Sequence, residues 1–173
     1  MPSPPPIKNK RKRRKFDERE SLAYHEAGHW AVATAFRVHV YEISIVDDGR
    51  AGGHMQLEAI LHEVDVSDRS DQTRFLVEKY ISIHFAGYLA QKIHFPSRKF
   101  DAKYWARTDL EKLFTVADRH YEDREKRDCL RAIIRTTRRL LRSLWPSIEK
   151  LAQRLLVEES GTLHWPVPDK PKT

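Results

Sequence analysis

The chain has 173 residues, of which 40% are hydrophobic and 33% charged, and its formal net charge is +7. This balance is typical of one folded, soluble domain and excludes a largely disordered chain. No apolar run approaches the roughly 18 to 20 residues that cross a bilayer, and a single cysteine, Cys129, excludes an internal disulfide. We therefore predict a cytoplasmic protein.

The positive charge is concentrated at the N-terminus. Residues 1–15 hold seven of the 32 basic residues and none of the 25 acidic ones, so the remainder is formally neutral. We expect this segment, which includes KNKRKRRK, to be a disordered tail, and it lacks the apolar run of a secretory signal. Two interpretations stay open: the tail contacts nucleic acid or an anionic membrane surface, or it is a solvated leader.

A helix and a pair of strands are predicted after the tail. Alanine and leucine favour a first helix over about residues 17–36. β-Branched residues then alternate over 38–46, and 52–60 is typical of a second strand. The turn signal at residues 47–49 lies between them, so we predict a β-hairpin or small sheet after the first helix.

Four further helices are predicted in the second half of the chain. The first begins near residue 70 and ends at Pro96, and its apolar set, which includes Phe75, indicates a buried helix. The others cover about 108–124, 125–144, and 146 to near Gly161. Residues 164–173 contain three prolines and are predicted to be a second tail. The predicted fold class is mainly α with a small β element.

The helix predicted over residues 125–144 carries arginines on one side and apolar residues on the other. The arginines are Arg131, Arg135, Arg138, Arg139 and Arg142. This pattern indicates either a polyanion-binding face or the solvated side of an ordinary amphipathic helix.

The segment AYHEAGHW, residues 23–30, carries the strongest chemical signal. Residues four apart share one face of a helix, so His25 and His29 can direct two imidazoles at one Zn²⁺. Glu26 would flank the ion and take a proton from an activated water. Gly28 costs about 1 kcal/mol in mid-helix relative to alanine, which indicates a packing or access requirement. The competing interpretation is a helix whose histidines have no ligand role.

A catalytic zinc needs a third protein ligand and an open position. The metzincin spacing would place glycine and histidine where this sequence has Val32 and Ala35, which excludes that clan. Spacing alone does not choose among the remaining candidates, which are His54, Asp101, Asp109 and Asp118.

Four segments, in this order, resemble the peptidase domain of the FtsH family of ATP-dependent zinc proteases. They are AYHEAGHWAVA, YEISIVDDGRAGGHMQ, YISIHFAGYLAQKIHF and ARTDLEKLFTVAD. The final SLWPSIEKLAQRLLVEESGTL resembles the family's last helix. The resemblance covers roughly residues 20–163 and implies one FtsH-like peptidase domain, which we place at residues 16–163.

The resemblance also implies roles for particular residues. His25 and His29 would be zinc ligands, Glu26 the general base and Asp109 the third ligand. The second strand would hold an extended substrate as an added strand. The candidate substrate-binding residues on it are Gly53, His54 and Met55.

The sequence departs from the family in three ways. It contains no G-x-x-x-x-G-K-[ST] motif, so we expect no ATP hydrolysis by this chain. GYLAQK lacks the acidic pair of the family's segment. Trp30 stands where the family commonly has a small residue, and it either narrows the cleft or packs in the core.

The predicted function is an ATP-independent zinc metalloendopeptidase that acts on flexible or unfolded polypeptides. A separate ATPase or adaptor that delivers proteins to this chain is an alternative that stays open. The oligomeric state also stays open. The alternative function is a non-catalytic FtsH-like binding or regulatory module whose basic tail contacts nucleic acid or a membrane.

Overall fold

A computed structural model describes residues 17–46, 53–96 and 106–166. Within these ranges the chain forms five helices and a three-stranded sheet, so the predicted fold class is confirmed. The helices are α1 (Glu18–Ala35), α2 (Asp71–His94), α3 (Arg107–His120), α4 (Asp123–Ser143) and α5 (Trp145–Val157). The strands are β1 (Val40–Ser44), β2 (His54–Leu57) and β3 (Thr162–His164). The predicted N-terminal tail, the turn at 47–49 and Asp101 lie outside the described residues.

Capping residues explain where the two central helices begin. The Asp17 side chain accepts a hydrogen bond from the Glu20 backbone N–H at 3.2 Å, and the Ser70 hydroxyl accepts one from Thr73 at 3.3 Å. Both bonds satisfy an amide that has no partner within its own helix. α2 ends at His94, two residues before Pro96, as predicted.

Small residues allow α1 and α2 to cross at close range. A Cβ atom added at Gly28 would lie 2.6 Å from the Ala90 Cβ and 2.8 Å from the Ala86 carbonyl oxygen. Real Cβ atoms essentially never approach so closely, so Gly28 satisfies a packing requirement. Val32 on α1, Leu89 on α2 and Leu155 on α5 belong to one buried core around this crossing.

The sheet has the order β2–β1–β3, and both pairs are antiparallel. Buried Ile43 of β1 lies opposite Met55 on one side and Leu163 on the other. β3 was not predicted. The Trp165 backbone N–H also donates to the Tyr41 carbonyl at 2.8 Å, so the sheet takes in the first residues of the predicted C-terminal tail.

Two surface features qualify the sequence predictions. Phe75 belongs to the apolar set that predicts a buried helix, but its side chain is exposed, so the prediction is wrong for this residue. The five arginines of α4 are all exposed while Ile133 and Leu141 are buried, as an amphipathic helix requires.

None of the described helices is both long enough and apolar enough to cross a bilayer.

Candidate metal centre

Two histidines and one aspartate direct three side-chain atoms at a common point. Asp109 Oδ2 lies 3.0 Å from His25 Nε2 and 3.1 Å from His29 Nε2, and the two nitrogens are 2.9 Å apart. Both histidines are buried and the Asp109 side chain is nearly so. Among the residues described, this is the one group of His, Cys, Asp or Glu arranged to hold a metal ion.

Two helices distant in sequence supply these atoms. His25 and His29 are one turn apart on α1, and Asp109 comes from the first turn of α3. The predicted helical spacing of the histidines is thus present, and the third residue is the one implied by the resemblance. Of the other candidates, Asp118 is exposed and pairs with Lys126 at 2.9 Å, and His54 lies on the sheet.

A backbone carbonyl fixes the tautomer of His29. His29 Nδ1 lies 2.6 Å from the Ile83 carbonyl oxygen, which can only accept a hydrogen bond. Nδ1 therefore carries the proton, and neutral His29 presents the lone pair of Nε2 to the centre. His25 Nδ1 is buried and has no hydrogen-bond partner among the described residues.

A glycine on α2 makes room for both imidazoles. A Cβ atom at Gly87 would lie 2.5 Å from His29 Nε2 and 2.7 Å from His25 Nε2. No other residue type fits there without displacing the ring atoms that face Asp109. Sequence reasoning missed this role; the available signal was a glycine inside a predicted helix, as at Gly28.

The electrostatics suit a centre that holds a cation beside a proton-transfer group. Burial acts to raise the pKa of Asp109, but the neighbouring histidines outweigh it and hold this pKa well below its usual range. Asp109 is therefore an anion, as a metal ligand must be. Burial raises the pKa of Glu26 to about 7; by smaller amounts, nearby His25 lowers this pKa and the Asp109 carboxylate raises it.

Glu26 faces the beginning of β2. A Cβ atom at Gly53 would lie 3.0 Å from Glu26 Oε1 and 3.1 Å from the Ser44 carbonyl oxygen. The predicted base and the first residue of the predicted substrate segment are therefore adjacent. Met55 is partly buried against the core, whereas His54 is exposed and its Nε2 lies 2.8 Å from Glu42 Oε1.

A third histidine at the centre was not predicted. His84 Nδ1 on α2 lies 3.2 Å from Asp109 Oδ1, the carboxylate oxygen that does not face His25 and His29. His84 lies within the helix predicted to begin near residue 70, and no spacing motif marks it in the sequence.

Trp30 packs instead of standing free. It is partly buried against the core, and its ring centroid lies 6.5 Å from that of Trp165. The packing interpretation of Trp30 is therefore favoured over a role in narrowing the cleft.

Comparison with known proteins supports the resemblance over part of the chain. No family model matches. The chain is 31% identical over 103 residues to the ATP-dependent zinc metalloprotease FtsH of Photobacterium profundum. It is 34% identical over 113 residues to the ATP-dependent zinc metalloprotease FtsH 1 of Thermomicrobium roseum. These matches cover 58% and 63% of this chain but only 14% and 16% of the relatives.

Proposed function

We propose that the chain is a zinc metallopeptidase that hydrolyses peptide bonds in flexible or unfolded polypeptides. The observation that carries this proposal is the convergence of His25, His29 and Asp109 beside the buried carboxyl group of Glu26. Two imidazole nitrogens and one carboxylate oxygen are a donor set that suits Zn²⁺. Three protein ligands leave a fourth position for water or substrate, as catalytic zinc sites do.

The protein groups divide the chemistry between them. When bound, Zn²⁺ would polarise the substrate carbonyl. It would also lower the pKa of water, so that the water loses a proton readily and attacks near neutral pH. Glu26 accepts the proton of the attacking water and passes it to the leaving amine. A pKa near 7 suits a group that must both accept and donate a proton.

The sheet offers a place for an extended substrate. β2 is an outer strand of the sheet formed by the described residues, and Gly53, the residue before it, lies beside Glu26. A peptide added along this strand would be held by main-chain hydrogen bonds, largely independent of its sequence. This favours unfolded segments as substrates, including segments that a separate ATPase or adaptor delivers.

The test is metal content together with one isosteric variant. We expect the purified protein to hold one zinc per chain and to cleave an unfolded substrate such as reduced casein. Glu26→Gln should retain zinc and thermal stability but lose at least about 100-fold in kcat/KM. Glu159→Gln, which removes an exposed glutamate of the same charge, should keep full activity. A folded, zinc-loaded protein that cleaves no unfolded substrate would contradict catalysis.

A polyanion-binding role is a second candidate, favoured by the exposed arginines of α4. Arg135, Arg138 and Arg142 form no ion pair with any described residue, whereas Arg131 lies 3.5 Å from Asp128. If this face is functional, Arg135→Gln/Arg138→Gln should weaken salt-sensitive retention on single-stranded DNA, and Arg131→Gln should do so less. Retention that depends only on residues 1–15 would assign binding to the tail.

A further inference from the structure

α2 contributes no ligand to the candidate metal centre, yet it contacts all three predicted ligands. The Ile83 carbonyl oxygen accepts a hydrogen bond from His29 Nδ1–H. Gly87 has no side chain and therefore leaves room for both imidazoles. The residue after Ile83, His84, reaches the third predicted ligand, Asp109. One turn of α2 therefore restrains groups that come from two other helices.

The Asp109 carboxylate is divided between two tasks. Its Oδ2 faces His25 Nε2 and His29 Nε2, and its Oδ1 lies 3.2 Å from His84 Nδ1. A free carboxylate rotates about its last torsion and can present either oxygen or both. A hydrogen bond to Oδ1 selects one rotational state and leaves Oδ2 as the ligand atom.

His84 is itself held in place. Its ring packs edge-on against that of Tyr80, one helical turn earlier, with centroids 4.2 Å apart. Its side chain is mostly buried, and its Nδ1 contacts Oδ1 and not the oxygen shared by the other two histidines. Among the described residues, the set of atoms that converge as ligands includes His25, His29 and Asp109 but not His84.

We infer that His84 is a positioning residue that donates a hydrogen bond to Asp109 Oδ1 and so directs Oδ2 at the metal. This inference rests on the proposed zinc function and adds a residue that is not among the four predicted catalytic and metal-binding residues. The role requires an N–H donor at the position of Nδ1, and it does not require an imidazole. An asparagine side chain can supply such a donor from a similar distance along the side chain.

The experiment measures zinc affinity of the full chain by competition with a chelator, and the absorption spectrum of the Co²⁺-substituted protein. We expect His84→Ala to weaken zinc binding about 10- to 100-fold, the usual effect of losing a group that orients a ligand. His84→Asn should recover most of that loss and restore the Co²⁺ spectrum. His62→Ala, which removes an exposed histidine from the segment before α2, should bind zinc like the unaltered protein.

Apo-protein melting temperatures separate positioning from general stability. Equal melting temperatures for His84→Ala and His84→Asn, with different zinc affinities, support positioning. His84→Ala with unchanged affinity overturns the inference and leaves the zinc function standing. If both variants lose zinc affinity equally and their Co²⁺ spectra show one nitrogen ligand fewer, the positioning role is overturned. His84 would then be a fourth metal ligand. An unaltered protein that binds no zinc contradicts the function and the inference together.

Discussion

Two groups in this molecule each join two histidines to one carboxylate, and they differ in burial. In the candidate metal centre, the His25 and His29 side chains are 5% exposed and Asp109 is 18% exposed. On the sheet, the His54 side chain is 55% exposed and that of His164 is 70% exposed, on either side of Glu42. Water competes for the hydrogen bonds of the second group, whereas the first is largely shielded from water and makes its hydrogen bonds within the protein.

The two groups also differ in where their atoms point. In the candidate metal centre one oxygen, Asp109 Oδ2, faces both histidine nitrogens. On the sheet Glu42 uses Oε1 for His54 and Oε2 for His164, so the two nitrogens approach different oxygens. The comparison teaches that convergence on a point, more than residue type, distinguishes a candidate metal centre from a surface hydrogen-bond network.

Gly87→Ala should give the largest loss of zinc affinity, because it displaces the two imidazoles that converge with Asp109. The added methyl group would overlap His25 and His29, so the imidazoles or α2 must move. We expect a loss of about 1–3 kcal/mol in the free energy of unfolding from overpacking. Zinc affinity, measured by chelator competition, should fall by more than about 100-fold because both ligands are displaced.

Gly28→Ala is the matched control for that variant. Its methyl group would meet Ala90 and the Ala86 carbonyl, which belong to the same helix crossing but carry no ligand atom. We expect a comparable loss of stability with a much smaller loss of zinc affinity. Equal losses of affinity in both variants would show that helix separation, and not the room at Gly87, controls the centre.

Asp109→Asn should have the next largest effect. Together with Glu42→Gln, it compares the carboxylate of the candidate metal centre with the carboxylate on the sheet. The amide keeps the shape of the side chain but removes the anion that lies against His25 and His29. Zinc affinity should fall by about 100-fold or more, since the loss of a ligand should exceed that of an orienting group. Glu42→Gln makes the same chemical change on the sheet and should leave affinity unchanged, as metal titrations of both variants would show.

The sequence was sufficient to predict the parts of the fold that depend on local patterns. Helical spacing places His25 and His29 on one face of α1, and Pro96 marks the end of α2. β3 could not be predicted, because it spans three residues and its partner β1 is more than one hundred residues earlier. A strand this short has no periodicity to detect.

The candidate site shows the same limit. His25, Glu26 and His29 follow from local spacing, whereas Asp109 is 80 residues away and was selected through the resemblance. His84 and Gly87 were missed, because their roles come from the crossing of α2 with α1 and its contact with α3. Contacts between elements distant in sequence leave no repeating pattern within either one.

Gly53→Ala should have a smaller, more selective effect at the boundary between the sheet and the candidate metal centre. The methyl group would crowd Glu26 Oε1 and the Ser44 carbonyl oxygen, and its nearest neighbours include none of the three converging atoms. We expect cleavage of unfolded substrate to slow by about tenfold, because displacing a catalytic group slightly is costly. Zinc affinity should stay unchanged. Unchanged kcat/KM in this variant would contradict a productive position of Glu26 beside β2.

His54→Ala should give the smallest change in stability, since it removes one member of the exposed group on the sheet. Exposed polar pairs, even when both groups are charged, contribute about 0–1 kcal/mol, and Glu42 would keep His164 as a partner at 3.1 Å. We expect the free energy of unfolding, measured with urea, to change by less than about 1 kcal/mol, and zinc affinity to stay the same. A rise in KM at constant kcat would support the predicted substrate contact of His54. A loss of zinc would contradict the separation of the two groups, because His54 would then contribute to the metal centre from the sheet.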